Sequence, residues 1–390
     1  MHVCHIITRL IVGGAQENTL LSCEGSHARG RRVTLIVGPT HGPEGSLVER
    51  ARAGGYEFVE MPELVRSVHP TRDWRALRRL RFWLRERRPD VVHTHSSKAG
   101  ILGRIAAWNE RVPAIVHTVH GMSFNRTQSR PVRALYRRLE AFAAARCHAI
   151  VGVADAMIDQ MVAAGVCPRA MCHTVYSGMD VAAFQPDAAR RAAMRAGWGV
   201  APDEIVIGAV ARLFRKKGYE QLLPALSRVA AAEPRARFVW VGDGAQRAEY
   251  EADLRLRGLH ERTILTGLVR PDEIPAIVSG FDVLAHASQW EGLPRVAVQA
   301  LLLRVPVVAF AIDGTPEVVI PGRSGVLVEL GDLTGFADAL IGLARDESRR
   351  EALGRMGREL CVQRFDAAVM VDALERLYAE LLARRGKGTT

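Results

Sequence analysis

Short apolar runs alternate with helix-length amphipathic stretches along this chain, and the alternation runs through twice. HVCHII, RVTLIVG, YEFVEM, DVVHTH, AIVHTVH, HAIVGVA and CHTVYSG make the first set, and EIVIGAVARL, RFVWVGDG, TILTG, DVLAHAS, VPVVAFAI and GVLVEL the second. Apolar runs of this length, separated by segments long enough for crossover helices, read as strands of parallel sheets covered by helices on both faces. The fold class is therefore α/β: two Rossmann-like domains with parallel sheets, expected to face a central cleft. Residues 180–203 are rich in Ala and Arg without a strand pattern and mark the expected linker region. The boundaries follow as 1–182 for an N-terminal domain, 183–365 for a C-terminal domain, and 366–390 for a final helix returning to the N-terminal domain and ending in a disordered tail, RRGKGTT.

At 390 residues the chain is long enough for two full cores. No apolar run approaches the length of a bilayer span, and the opening MHVCHIITRL enters a strand pattern directly without signal-peptide organisation, so a cytoplasmic location is expected. The six cysteines, Cys4, Cys23, Cys147, Cys167, Cys172 and Cys361, form no CxxC pair, which fits a reducing compartment and no structural zinc. The net charge of +11 suits an anionic partner such as a nucleotide or a phospholipid, although an arginine-rich genome gives the same excess. Nucleic acid is not expected as a partner, since the basic clusters hold no aromatic stacking platform or recognition motif.

The segment FDVLAHASQWEGLPRVAVQALLLRVPVVAF, residues 281–310, carries the most chemistry. It places Glu291 in a loop between a buried strand and a helix expected to open at Pro294. The free N–H groups of such a helix end favour a diphosphate. Glu291, one turn earlier, is acceptor-only and suits hydroxyl groups instead. A sugar joined to a nucleotide diphosphate supplies both. In ARLFRKKGYEQLLPAL, Arg212, Lys216, Lys217 and Gly218 also stand between a strand and a helix, where basic side chains reach a phosphate.

These segments resemble those of the family 4 retaining glycosyltransferases of the GT-B type. Glu291 stands at the first glutamate of that family's motif of two glutamates separated by seven residues, and Gln299 stands in place of the second. Arg212 and Lys217 match its phosphate-binding arginine and lysine. Gly242 and Gly244 of VGDG match a glycine turn, and LTGLVRPDEIPAIVSGFDV matches the segment around Gly267, Leu268 and Val269 that holds the nucleotide base. DGTPEVVIPGRSGVLVEL is similar to the loop in which Gly314 and Glu317 match and Asp313 replaces a glycine. In the first half, Gly13 and Gly14 of IVGGAQENTL match an N-terminal Gly-Gly loop, and this is not the GxGxxG fingerprint of dinucleotide binders. YSGMD resembles an N-G-x-D turn, with Ser177 in place of asparagine.

The resemblance implies transfer of a sugar from a nucleotide diphosphate, UDP-sugar favoured, with retention at the anomeric carbon. His120 is then placed by the donor sugar, Glu291 on its hydroxyls, and Arg212, Lys217 and the amides near Arg295 and Val296 on the leaving diphosphate. Leu293 and Gln299 complete the donor contacts, with Gln299 on the ribose. The nucleotide sugar is a substrate, so no cofactor is implied, and no metal is required. The alternative is a catalytically weak nucleotide-sugar-binding homologue, suggested by Gln299. His93, His95, His117 and His120 are spaced as metal ligands could be, yet without a third ligand type nearby they read as core or loop histidines.

The acceptor implied is a glycan or a lipid-linked sugar in cell-surface polysaccharide or glycoconjugate synthesis. DWRALRRLRFWLRERRPD carries Leu77, Leu80 and Leu84 on one helical face with arginines elsewhere, and Arg126, Arg130, Arg133, Arg137 and Arg138 form a second basic cluster. The first can lie on an anionic membrane surface, although a helix packed on its own sheet is the favoured reading, and the second follows His120 in a segment expected to edge the cleft, so a lipid-diphosphate-linked sugar is the acceptor suggested and peripheral attachment to the inner face stays open.

Overall fold

The computed structural model of the chain describes residues 1–42, 45–124 and 128–386. It divides into two compact units, Met1–Met179 together with the segment from Ala367, and Asp180–Asp366.

In the first unit the strands are β1 (His2–Ile7), β2 (Arg32–Val37), β3 (Glu57–Glu60), β4 (Val91–His95), β5 (Ala114–Val119), β6 (Ala149–Gly152) and β7 (Cys172–Thr174). They pair in parallel in the order β3-β2-β1-β4-β5-β6-β7. The helices between them are α1 (Gly14–Ala28), α2 (Val48–Ala53), α3 (Pro70–Arg87), α4 (Ser97–Asn109), α5 (Arg130–Ala144) and α6 (Asp155–Ala163).

The second unit holds α7 (Ala188–Gly197), β8 (Ile205–Val210), α8 (Tyr219–Ala232), β9 (Ala236–Val241), α9 (Arg247–Leu256), β10 (Thr263–Gly267), α10 (Ile274–Ser279), β11 (Val283–His286), α11 (Arg295–Leu302), β12 (Val307–Phe310), β13 (Gly325–Val328), α12 (Leu333–Arg345) and α13 (Glu347–Phe365). Its parallel sheet runs β10-β9-β8-β11-β12-β13. In each sheet the strand order reverses once, between β1 and β4 and between β8 and β11. Loops leaving the carboxyl ends of two such strands turn opposite ways and leave a crevice, which is where ligands of open α/β sheets bind.

The near-continuous apolar runs are explained by burial on both faces. Val206, Ile207, Leu284, Val307 and Val308 are all at most 2% exposed. The stretch 180–203 carries α7, whose Arg191 and Arg195 hold the Asp282 carboxylate just before β11 at 2.6 and 2.9 Å. The helix expected from Pro294 begins at Arg295, with Pro294 as its cap residue.

The final helix, α14 (Ala367–Gly386), packs on the first unit's sheet. Met370, Val371, Leu374 and Tyr378 lie buried among Val3, Val91, Val116 and Val151. Ion pairs from Arg29 to Asp372 and from Arg31 to Glu375, at 2.6 and 2.8 Å, tie it alongside α1. The first residues of the RRGKGTT tail belong to this helix, and residues 387–390 lie outside the described residues, as does Arg126.

Leu374 is 3% exposed inside this cluster. Leu374→Ala should lower the stability of the first unit by about 2–5 kcal/mol, the usual cost of such a truncation. Denaturant unfolding followed by a probe in the first unit checks it, and a loss under about 0.5 kcal/mol would show that α14 contributes no core there.

Candidate functional site

In the second unit the reversal point gathers the residues singled out above. The loop after β8 brings Arg212, Lys216 and Lys217, and the loop after β11 brings Ser288 and Glu291. The two loops are pinned together by backbone: the Gln289 amide donates to the Lys216 carbonyl at 3.0 Å. Gly218, the residue before α8, has φ of 84°, and a Cβ there would lie 1.7 Å from the Ala287 carbonyl oxygen. Only glycine permits that contact between the loops. Gly242 is constrained in the same way by the Ala211 carbonyl, with φ of 130°, and its amide donates to the Gly267 carbonyl at 3.0 Å.

Held by this backbone, Lys217 Nζ donates to Glu291 Oε1 at 2.7 Å. The Glu291 amide donates to Asp313 Oδ2 at 2.9 Å, which fixes the loop beside the residue that replaces a family glycine. His286 Nε2 lies 3.6 Å from the same Glu291 oxygen. Burial alone pushes the Glu291 carboxyl up, but the charges of Lys217 and His286 and hydrogen bonds from Lys217 and Ser288 outweigh it and leave it below the ordinary carboxylate value. Burial pulls the His286 imidazole down, against the pull of Glu291. The result is an ionised, mostly buried carboxylate facing a lysine, a pair able to divide between hydroxyl groups and a phosphate.

Arg212 is exposed, its guanidinium 5.1 Å from the Phe214 ring centroid. Arg295, Val296 and Gln299 sit half-buried on one face of α11, and Leu293 is buried ahead of it. Gly267 is buried, and Leu268 projects with 57% exposure.

In the first unit Gly13 and Gly14 follow β1 and open α1, and Ser96 follows β4. His120 follows β5 and lines a small cavity with Ser96, His117, Gly121, Met122 and Glu140. Sequence reasoning treated the histidines separately and missed His5. The reversal of strand order sets β1 against β4, so that His5 and His93 are register partners and His95 shares their face. His93 Nδ1 meets the Tyr378 hydroxyl and Nε2 meets Thr118 Oγ1, both at 2.6 Å. His117 points to the other face and meets Thr94 Oγ1 at 2.9 Å. His5, His93 and His95 each offer a ligand atom within 4.8 Å of the others. Both nitrogens of His93 and of His95 are already engaged by hydrogen bonds, so the cluster is built as a network of imidazoles.

Residues 190–360 match the family described as "Glycosyl transferases group 1", and residues 12–183 match "Glycosyltransferase Family 4". The chain belongs to the family 4 glycosyltransferases. This glycosyltransferase is 29% identical over 331 residues to the UDP-Gal:alpha-D-GlcNAc-diphosphoundecaprenol alpha-1,3-galactosyltransferase of Escherichia coli, covering 83% of this chain and 84% of that one. It is 22% identical over 331 residues to the capsular polysaccharide biosynthesis glycosyltransferase CapM of Staphylococcus aureus, covering 84% and 86%. In fold it is similar to Anabaena HepE in complex with UDP and glucose, with a TM-score of 0.85, 20% identity and coverage of 97% and 100%. It is also similar to WaaG, a glycosyltransferase involved in lipopolysaccharide biosynthesis, with a TM-score of 0.74, 16% identity and coverage of 95% and 98%. These likenesses and the two parallel sheets place the glycosyltransferase in the GT-B fold.

The Lys217–Glu291 pair gives a test that needs no substrate. Because the folded carboxyl is held below its usual value, the pair's contribution to stability is complete above the ordinary pKa of about 4.3 and is lost as pH falls through the lowered value. In Lys217→Met the largest opposing charge is gone while burial remains, so Glu291 should titrate above the ordinary carboxylate value. Carbon-13 NMR of the Glu291 carboxyl measures it, and a value still below the ordinary one would show that Lys217 is not what keeps it ionised.

Proposed function

We propose that this glycosyltransferase moves a hexose or N-acetylhexosamine, with retention, from a UDP-sugar to a glycan or lipid-linked acceptor in the synthesis of cell-surface polysaccharide or glycoconjugate. The observation that carries the reading is the partly buried 2.7 Å contact of Lys217 with Glu291 at the strand reversal of the second unit. On donor binding Lys217 turns to the leaving diphosphate together with Arg212, and the freed carboxylate takes sugar hydroxyls. Stabilising the charge that develops on the diphosphate is the main electrostatic demand of the step. The α11 amides near Arg295 and Val296, the Gly242 turn, Leu293 and the Gly267–Leu268 backbone complete the donor contacts. Gly13, Gly14 and His120 are assigned to the sugar. The proton of the acceptor leaves to the departing phosphate oxygen, so the reading calls on neither a metal nor a cofactor.

UDP is favoured because the E. coli relative is named for UDP-Gal and HepE was solved with UDP. The same relative's name carries a diphosphoundecaprenol acceptor, which supports a lipid-linked one here. The surface of the first unit supports the same choice. The leucines of α3 turn inward, Leu80 and Leu84 being buried as expected of a helix packed on its own sheet, although Trp74 and Phe82 of the same helix lie exposed. On α5, Val132, Leu135, Leu139 and Phe142 lie exposed in one stripe at helical spacing, beside the exposed Arg137 and Arg138. Arg146 stacks over Phe142 at 3.6 Å. An exposed apolar stripe flanked by arginine fits the headgroup boundary of an anionic leaflet, and we assign the protein to the cytoplasmic side of such a surface. No helix among the described residues is long and apolar enough to cross a membrane.

On this reading Gln299 weakens the donor contact without abolishing transfer. It keeps a hydrogen bond to ribose and gives up the charge-assisted part, on the order of 1 kcal/mol.

One experiment tests the whole reading: UDP-, GDP- and ADP-sugars offered with a polyprenyl-diphosphate sugar in vesicles containing anionic lipid, and separately with soluble glycans. The expected product comes from a UDP-sugar, is formed on the vesicles, and keeps the anomeric configuration of the donor by proton NMR. Inversion would remove the retaining mechanism, and binding of UDP-sugar without transfer to any acceptor would establish the weak homologue instead.

A further inference from the structure

The loops that leave β1, β2 and β3 of the first unit are tied to one another. The Gly38 amide donates to the Thr8 carbonyl at 3.1 Å, the Leu10 amide to Thr40 Oγ1 at 2.9 Å, and Arg9 Nη1 to the His41 carbonyl at 3.2 Å. A Cβ at Gly38 would lie 1.8 Å from the Leu64 carbonyl oxygen, so glycine is what lets the third loop close on the other two. That third loop is held at two points. Leu64 is fully buried, and Lys98, paired with Asp73 at 2.6 Å, donates to the Ser67 carbonyl.

These loops and α5 enclose an open pocket of about 570 Å³, a volume in the range of ligand sites. Its lining includes Arg9, His41, Arg66, Ser67, Val68 and Tyr136. No carboxylate lines it among the described residues. Glu63 and Asp73, on either side of Arg66 in sequence, are engaged by Arg79 and Lys98 at 3.1 and 2.6 Å. Two guanidinium groups and an imidazole without an acidic neighbour in the lining favour an anion, and the planar fork of arginine matches the oxygens of a phosphate. The His41 ring offers an N–H in either tautomer, and the Ser67 hydroxyl can donate as well.

The borders of the pocket are apolar. Val68 is 75% exposed. Tyr136 stands on α5 four residues after Val132 and three before Leu139, so it adjoins the exposed stripe of that helix. A basic pocket that continues into exposed apolar side chains suits an anion carried on a hydrocarbon chain better than a soluble phosphate.

We propose that this pocket holds the diphosphate of a lipid-linked acceptor, with Arg66 and Arg9 on its oxygens and the lipid chain leaving past Val68 and the α5 stripe. The proposal rests on the lipid-linked acceptor of the function read above, and it gives that acceptor's diphosphate a site built from residues assigned to no other part of the reaction.

Vesicles of phosphatidylcholine carrying polyprenyl diphosphate test this against the same vesicles carrying phosphatidylglycerol at matched charge, with bound protein measured by flotation. Wild type should bind the diphosphate vesicles about tenfold or more tightly, the scale of a charge-assisted hydrogen bond to an anion. Arg66→Gln, at an exposed position, should lose most of that preference, and Arg9→Gln should do the same. If Arg9→Gln does not fold, Arg66→Lys is the second variant: it keeps the charge without the fork and should lose a smaller part of the preference than Arg66→Gln. In turnover, Arg66→Gln should raise KM for a polyprenyl-diphosphate sugar about tenfold, with kcat and KM for the donor within about twofold.

Equal binding of wild type to both kinds of vesicle would show a general anionic surface and overturn the proposal, as would a diphosphate preference unchanged in Arg66→Gln. If the preference and its dependence on arginine hold while no sugar is transferred, the site stands and the function reading falls. If sugar is transferred to the lipid-linked acceptor with an unchanged KM in Arg66→Gln, the function reading stands and the site falls.

Discussion

A carboxylate taken out of water has to be paired, and the second unit is organised around that requirement at Glu291. Its partner, Lys217, comes from a loop 74 residues earlier. The two loops are brought together by backbone contacts that exclude a side chain at Gly218 and by the hydrogen bond from Gln289 to Lys216. Those contacts depend on β8 and β11 lying side by side, the point at which the sheet order reverses. The buried charge, the glycine and the strand order thus form one connected constraint, and the ligand chemistry of the site is what remains once it is met.

The first unit solves a related problem without charge. Its sheet carries several polar side chains at positions buried on both faces, and it keeps them by mutual hydrogen bonding: His93 with Tyr378 and Thr118, His117 with Thr94, His5 with His95, His95 with His120. Desolvation holds these imidazoles in their neutral form, so the network orders protons where the second unit orders charges. The Arg104–Glu140 pair joining α4 to α5 at 2.8 Å is a buried ion pair of that unit, and Glu140 lines the cavity beside His120.

Much of the fold was legible because strands buried on both faces read as unbroken apolar runs such as VPVVAFAI and RFVWVGDG, whatever their neighbours. The segment around Glu291 was legible because a loop carboxylate ahead of a helix start is a local pattern. What the sequence did not show depends on which strands are adjacent. The Lys217–Glu291 contact joins residues whose loops meet only through the strand order, and His5 joins His95 across 90 residues for the same reason. The leucine face of α3 and the apolar stripe of α5 look alike in sequence, since each is an arginine-rich amphipathic helix. Only packing on the sheet shows that Leu80 and Leu84 are used there and that Leu135 and Phe142 are left outside.

The central claim is that Lys217 and Glu291 part on donor binding, one serving the diphosphate and the other the sugar. Isothermal titration of UDP and of the transferable UDP-sugar into wild type and Glu291→Gln tests it most directly. The account predicts that the variant binds UDP within about twofold of wild type while losing about tenfold or more of its affinity for the UDP-sugar, the scale of a charge-assisted hydrogen bond to a hydroxyl. Equal losses for both ligands would place Glu291 at the nucleotide and contradict the account.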